Sequence, residues 1–311
     1  MPGTMHALTR TLVVFALTAG LTHAGAGQEK PALEDIRKKA ESGDADRQFA
    51  LAKMYRHGPG LTRDDRQAVR WFTAAAAQGH VPAEFELGYC YQIGLGVNRD
   101  YATAARYYLS AAKGGHPGAA NNLGFLYRLG MGVPRNGEEA ARWFHAAAEG
   151  GELTAAANLG YLYLVGEGVP RDSTESVRWF RVAAEGGIAP AQVYLSHAYF
   201  TGEGVGHDDR RAAEWLERAA EQGYAQAEAD LGYLYEQGRG VPLDHVKAFV
   251  WYSMAERDGD ARAGRQLKAL SSRMVPKQIG QARTRVAELN GAAKERSSPP
   301  TAASALVGEV H

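Results

Sequence analysis

Cysteine is almost missing from this 311-residue sequence, where Cys90 stands alone. No intramolecular disulfide can form, so the fold must be held by packing. The one cysteine also lies far from the start of the chain, which argues against a lipid-anchored N-terminus. Charge of one sign is missing too: Lys+Arg and Asp+Glu balance at 35 each. Nothing in that balance draws the chain towards nucleic acid or an anionic membrane surface. Long apolar runs are scarce. Arg10 precedes an eleven-residue run from Thr11 to Leu21, followed by small residues with cleavage points after Ala24 or Ala26. That run is too short to span a bilayer as a mature helix. Residues 1–26 are therefore expected to be a secretory signal peptide. The product is expected to be periplasmic or secreted, with no membrane insertion after cleavage.

What the sequence has in quantity is itself. Hydrophobic residues make up 45% of the chain, enough for a packed core. Blocks of 36 residues repeat without gaps from 45–80 through 81–116, 117–152, 153–188, 189–224 and 225–260. Leucine recurs at Leu51, Leu87, Leu123, Leu159, Leu195 and Leu231, with tyrosine four places on at Tyr55, Tyr91, Tyr127, Tyr163, Tyr199 and Tyr235. A further column holds Trp71, Tyr107, Trp143, Trp179, Trp215 and Trp251.

Leu159, Leu162 and Tyr163 space as the apolar stripe of a first helix, A. A Gly-x-Gly pair such as Gly166/Gly168 terminates it, since glycine takes the left-handed conformation that a helix C-cap needs. Asp64, Asp100, Asn136, Asp172, Asp208 and Asp244 stand where an N-cap opens a second helix, B. Glu175, three places after Asp172, predicts a capping box. Helix B carries small residues in two columns (Ala140 and Ala147 in repeat 3), and the tryptophan/tyrosine column between them is expected to fill the space they leave. A last glycine, Gly151 in that repeat, closes helix B. One hairpin cannot bury both its faces, but a stack can. The expected fold class is all-α, an α/α solenoid of stacked antiparallel helix pairs. Residues 27–44 are expected to cap the front as a lone helix. A degenerate pair over 261–290 would cap the back, and 291–311 would form a disordered Ser/Pro/Ala-rich tail.

The pattern Leu159-Gly-Tyr-Leu-Tyr163, then Gly166-Glu-Gly-Val-Pro-Arg-Asp172, then Trp179-Phe180 and Ala183-Ala184 resembles the Sel1-like repeat, a relative of the tetratricopeptide repeat. The resemblance covers 45–260 strongly and 261–290 weakly. It implies a right-handed superhelix with helices A lining a concave face, used as a scaffold or adaptor for other proteins. Some cysteine-rich secreted members are linked to β-lactam binding or hydrolysis. This sequence lacks those cysteines, and a cell-wall-related ligand-binding protein or enzyme stands only as the alternative reading.

On tetratricopeptide geometry, positions two and six past the leucine point to the groove. They offer Tyr89, Phe125, Tyr161, His197 and Tyr233 as anchors for a protein or peptide partner, with Phe85 and Arg128 beside them. The same rings could instead pack against the adjacent repeat, and both readings stay open here. Catalysis finds no support. Ser110-Ala-Ala-Lys113 has the Ser-x-x-Lys form of penicillin-recognising enzymes but lacks its companion motifs, and its positions hold Ala146 and Glu149 one repeat on. No histidine or carboxylate set has metal-ligand spacing, and His80 and His116 share one turn position. Every Gly-x-Gly is taken up as a helix terminator. No active site, cofactor or metal is expected.

Overall fold

A computed structural model describes residues 29–58 and 60–297, with side chains from 33 to 290. The expected signal peptide and residues 298–311 of the expected tail lie outside the described residues. The chain divides into two compact units, Met1–Ala83 and Glu84–His311. Every described element is helical, with no strand among the described residues.

In the first unit, α1 (Glu29–Glu41) packs on α2 (Ala45–His57), which pairs with α3 (Asp65–Ala76). The division falls inside α4 (Val81–Ile93). The second unit continues with α5 (Tyr101–Lys113) and the pairs α6/α7 (Pro117–Leu129, Gly137–Glu149) and α8/α9 (Leu153–Val165, Ser173–Glu185). The pairs α10/α11 (Ala189–Thr201, Asp209–Ala220) and α12/α13 (Ala225–Gln237, His245–Arg257) follow. In the second unit α6/α7, α8/α9, α10/α11 and α12/α13 each pack as a pair, and α5, α7, α9 and α11 each pack on the first helix of the next repeat. This is the stacked helix-pair solenoid. Two further helices, α14 (Ala263–Ser271) and α15 (Pro276–Ser297), pack on α13. The last runs past Asn290 to Ser297, beyond the point where the sequence reading began its disordered tail.

The turn inside each repeat follows one plan. In repeat 4, Gly166 caps α8 at φ 74°, donating its N–H to Leu162 O. The side chain of Asp172 then accepts from the N–H groups of Thr174 and Glu175 at the start of α9. The predicted capping box does not form. The Asp172 N–H donates instead to Tyr163 O at 3.0 Å, and Glu175 turns its carboxylate to Arg178. The same bond from cap N–H to tyrosine carbonyl recurs at Asp64, Asp100, Asn136, Asp208 and Asp244. The tyrosine column thus marks where the turn folds back.

In repeats 3 to 6 the second glycine of the pair does more than terminate a helix. A Cβ on Gly168 would lie 2.0 Å from the carbonyl carbon of Gly137, the first residue of the preceding repeat's second helix. Gly132, Gly204 and Gly240 press in the same way on Tyr101, Ser173 and Asp209. These glycines hold the repeats in contact, and a side chain has no room there.

One core expectation needs correction. The more enclosed side chain is not that of the tryptophan/tyrosine column but that of the residue after it: Phe72, Tyr108, Phe144, Phe180 and Tyr252, with Leu216 in repeat 5; only in repeat 4 is the column residue, Trp179, buried as well. Trp71, Tyr107, Trp143, Trp215 and Trp251 are only half-buried. Several of them carry an arginine on the outer ring face, with Arg142 over Trp143 and Arg218 over Trp215. The reason is angular: the small residues of helix B bring its backbone against helix A, and the next position around the helix points deeper into that contact.

Candidate partner-binding face

Helix A has a core side set by its leucine. At about 100° per residue, the positions one before, two after and six after the leucine fall within roughly 60° of one another, well away from it. The exposed large apolar side chains concentrate there. Leu129 is 60% exposed and Tyr233 46%, and Ile93, Val165 and Tyr194 share these three columns. His197 is exposed as well, while Tyr89, Phe125 and Tyr161 are half-buried.

The second unit turns this stripe into two adjoining cavities. The larger, about 610 Å³, lies along α10 and α12 and is lined by Tyr194, His197, Phe200, Tyr224, Asp230 and Tyr233, among others. The smaller, about 210 Å³, is lined by Arg128, Asn158, Tyr161 and Phe180, and Tyr194 borders both. Tyr194 is held in place between them. Its ring stacks on Phe180 at 4.6 Å and 8° and meets Tyr161 edge-on at 6.4 Å. Burial raises its phenol above the usual range, so it remains an O–H donor at neutral pH.

Charges around the cavities are mostly spoken for. Arg128 lies 4.7 Å over the Tyr161 ring and donates through Nε to Glu167 at 3.0 Å, which Arg135 also binds. Burial by itself would raise Glu167, but the hydrogen bonds from Arg135 and Arg128 outweigh it and hold the carboxyl below its usual range. Arg239 covers Phe200 at 4.7 Å and binds Asp209. Asp230 is different. Burial raises it, and Arg262 opposes that only from 3.7 Å.

Of the residues singled out by sequence, Tyr161, Arg128, His197 and Tyr233 come together at these cavities. Tyr89, Phe85 and Phe125 line neither. Phe85 stacks on His116 at 4.2 Å, and Phe125 rests edge-on against Phe144 at 5.3 Å. Tyr194 and Asp230 were missed. Both sit one place before the leucine, a column that reads Glu86, Asn122, Asn158, Tyr194, Asp230. A polar, variable column beside an invariant apolar one is a readable sign of an outward face. Ser110 donates to Glu84 at 2.7 Å. Among the described residues, no group of His, Cys, Asp and Glu could hold a metal, and no helix is long and apolar enough to cross a membrane.

Stacked helix pairs with a recurrent turn, and with exposed apolar side chains gathered on one side of the first helices, define an α-solenoid repeat protein. The family model for the Sel1 repeat matches residues 48–80, 81–116, 117–152, 153–188, 189–224 and 225–260, and the chain belongs to the Sel1 repeat family. It is similar to c5321, a protective antigen of uropathogenic Escherichia coli strains with an SLR fold. The identity is 35%, the TM-score 0.75, and the match covers 83% of this chain and 56% of that one. This chain therefore spans just over half the length of that relative. A Sel1 repeat protein from Oxalobacter formigenes matches at 29% identity and TM-score 0.66, over 74% of this chain and 92% of its own. A search of curated protein sequences returns no match.

Proposed function

We propose that this chain is an exported interaction scaffold that holds a segment of a partner protein along the helix-A side of its second unit. The observation that carries the reading is the gathering of exposed apolar side chains in three columns of helix A, where the repeat has no structural need of them. Tyr161, Tyr194, His197 and Tyr233 form the seat. Leu129 and Val165 extend it, and Tyr89 and Phe125 continue its column through earlier repeats, with Phe85 beside them. Rigid rings with polar tips around a preformed cavity suit an extended peptide that inserts apolar side chains and leaves its backbone to hydrogen-bond at the rim. Export rests on the N-terminal sequence pattern, and membership of a family of repeat scaffolds supports the adaptor role.

The test is crosslinking capture from an extract of the exporting cell, comparing the unchanged chain with Tyr161→Glu/Tyr233→Glu. Both side chains reach solvent, so the double variant is expected to keep its helical circular dichroism and melting temperature and to lose the captured partner. Capture that is unchanged with the fold intact would place binding elsewhere. Loss of the fold would make these rings core.

A further inference from the structure

Three places before the core leucine of helix A, at positions 48, 84, 120, 156, 192 and 228, lies a buried site that the chain fills in contrasting ways. In repeat 5 it holds Gln192. The amide donates to Ala184 O at 3.0 Å, eight residues back, and its oxygen accepts from Gln222 at 2.9 Å, thirty residues on. Repeat 1 builds the same pair, Gln48 donating to Ala40 O at 3.0 Å and accepting from Gln78 at 2.8 Å. An amide suits the site because it offers a donor and an acceptor at once.

Repeat 6 breaks the pattern at both ends. Glu228 replaces the first glutamine and Asp258 the second. Glu228 is 0% exposed, and neither of its carboxyl oxygens has a hydrogen-bond donor. Asp258 is gripped by Arg257, whose Nε reaches Oδ1 at 2.6 Å and whose terminal nitrogen reaches Oδ2 at 2.5 Å. Arg257 is tied in turn to Asn290 of α15 at 2.7 Å. The charged groups that act on Glu228 are Asp258 and Arg257, both at the end of α13. Helix α11 presents Ala219 and Ala220 to this region with Glu221 exposed, and the charges beyond α13, Asp260 and Arg262, act on Asp230.

We propose that Glu228 and Asp258 share one proton at neutral pH, carried by Glu228 and donated to the Arg257-held carboxylate of Asp258, so that the joint between α12 and α13 loosens as pH rises. Two carboxylates facing each other with no donor between them repel, the more so because Glu228 is closed to water, whereas one proton on Glu228 converts the contact into a charge-assisted hydrogen bond. Burial, with Asp258 second, pushes Glu228 up to about 7, and the Arg257 bond holds Asp258 below its usual range. The sign follows. The folded value lies above the unfolded one, so the contribution is fully present below about pH 4.5. It is lost progressively as pH rises to about 7 and is level above that. Helix α12 also carries Asp230 and Tyr233 into the larger cavity, so the proton acts on a wall of the proposed seat.

The decisive comparison is the full chain against Glu228→Gln, which rebuilds the amide that repeats 1 and 5 already use and so is expected to fold. The readouts are hydrogen exchange of α12 and α13 amides from pH 4.5 to 8 and the Glu228 Cδ shift of the unchanged protein. Opening of the α12–α13 joint should rise in the unchanged chain by up to about tenfold per pH unit relative to the variant over the lower part of that range. Glu228 Cδ should titrate near neutrality. A pH-independent difference between the two proteins, or a Glu228 midpoint in the ordinary carboxylate range, would overturn the proposal. Because no partner enters this measurement, its failure would leave the binding reading standing.

Discussion

Repeats 4 and 5 share a backbone plan and solve the same crossing from opposite sides. In repeat 4 the first helix offers Gly160 and the second offers Ser176, whose hydroxyl donates across to Gly160 O at 2.8 Å. In repeat 5 the first helix offers Ser196, which donates to Ala212 O at 2.8 Å. The ring beneath adjusts to match. Phe180 comes so close to Gly160 that a Cβ there would lie 3.0 Å away, and under Ser196 the ring is replaced by Leu216. Gly88 over Tyr108, Gly124 over Phe144 and Gly232 over Tyr252 follow repeat 4. Two deviations from a repeat consensus, taken separately, would be noise. Together they are one exchange of volume between facing helices.

The largest expected effect probes what both repeats need alike. Gly168→Ala puts a methyl into the Gly137 backbone at φ 75°, and denaturant unfolding of the second unit should show a loss of about 3 kcal/mol or more. Gly206→Ala, with open space around it, should stay within about 0.5 kcal/mol. Next comes the exchange itself. Gly160→Ser should cost about 2 kcal/mol and Phe180→Leu about 1 kcal/mol. The double variant recreates repeat 5 and should recover about 1 kcal/mol of their sum in a double-mutant cycle. Strict additivity would mean that the two columns do not compensate each other.

A smaller effect separates the real cap from the apparent one. Asp172→Ala should cost about 1 kcal/mol, while Glu175→Ala, whose carboxylate holds only Arg178, should stay within about 0.5 kcal/mol. Smallest is a pH effect at His116, whose ring nitrogen Nδ1 accepts from Ala119 N–H at 3.2 Å. Burial lowers its pKa from 6.5, so its contribution is present above pH 6.5 and is lost as pH falls through the lower folded value. Thermal melts between pH 5 and 8 should show this slope, and His116→Asn, which keeps a cap acceptor, should flatten it.

Much of the architecture was legible because each repeat is a local unit read six times over. The leucine stripe, the left-handed glycines and the N-cap column are properties of chain segments a few residues long, and self-similarity averages away their individual ambiguity. The candidate site was legible only in part. The outward columns could be counted from the leucine, which found Tyr161, His197 and Tyr233. Whether a ring in such a column is open or covered depends on residues 19 to 31 places further along the chain, which the local pattern does not place. His116 covers Phe85 and Phe144 backs Phe125, whereas nothing comparable covers Tyr233.

The sequence by itself determined the helices, their caps, their number per repeat and their order, because periodicity and turn chemistry act over short stretches. Tertiary structure decided which aromatic of each Trp-Phe or Tyr-Tyr pair is enclosed and that the second glycine is a contact between repeats. It also decided that Glu228 faces Asp258 across a site that repeats 1 and 5 fill with two glutamines. Each of these depends on the distance between groups some 16 to 36 residues apart, which packing sets and local propensity does not.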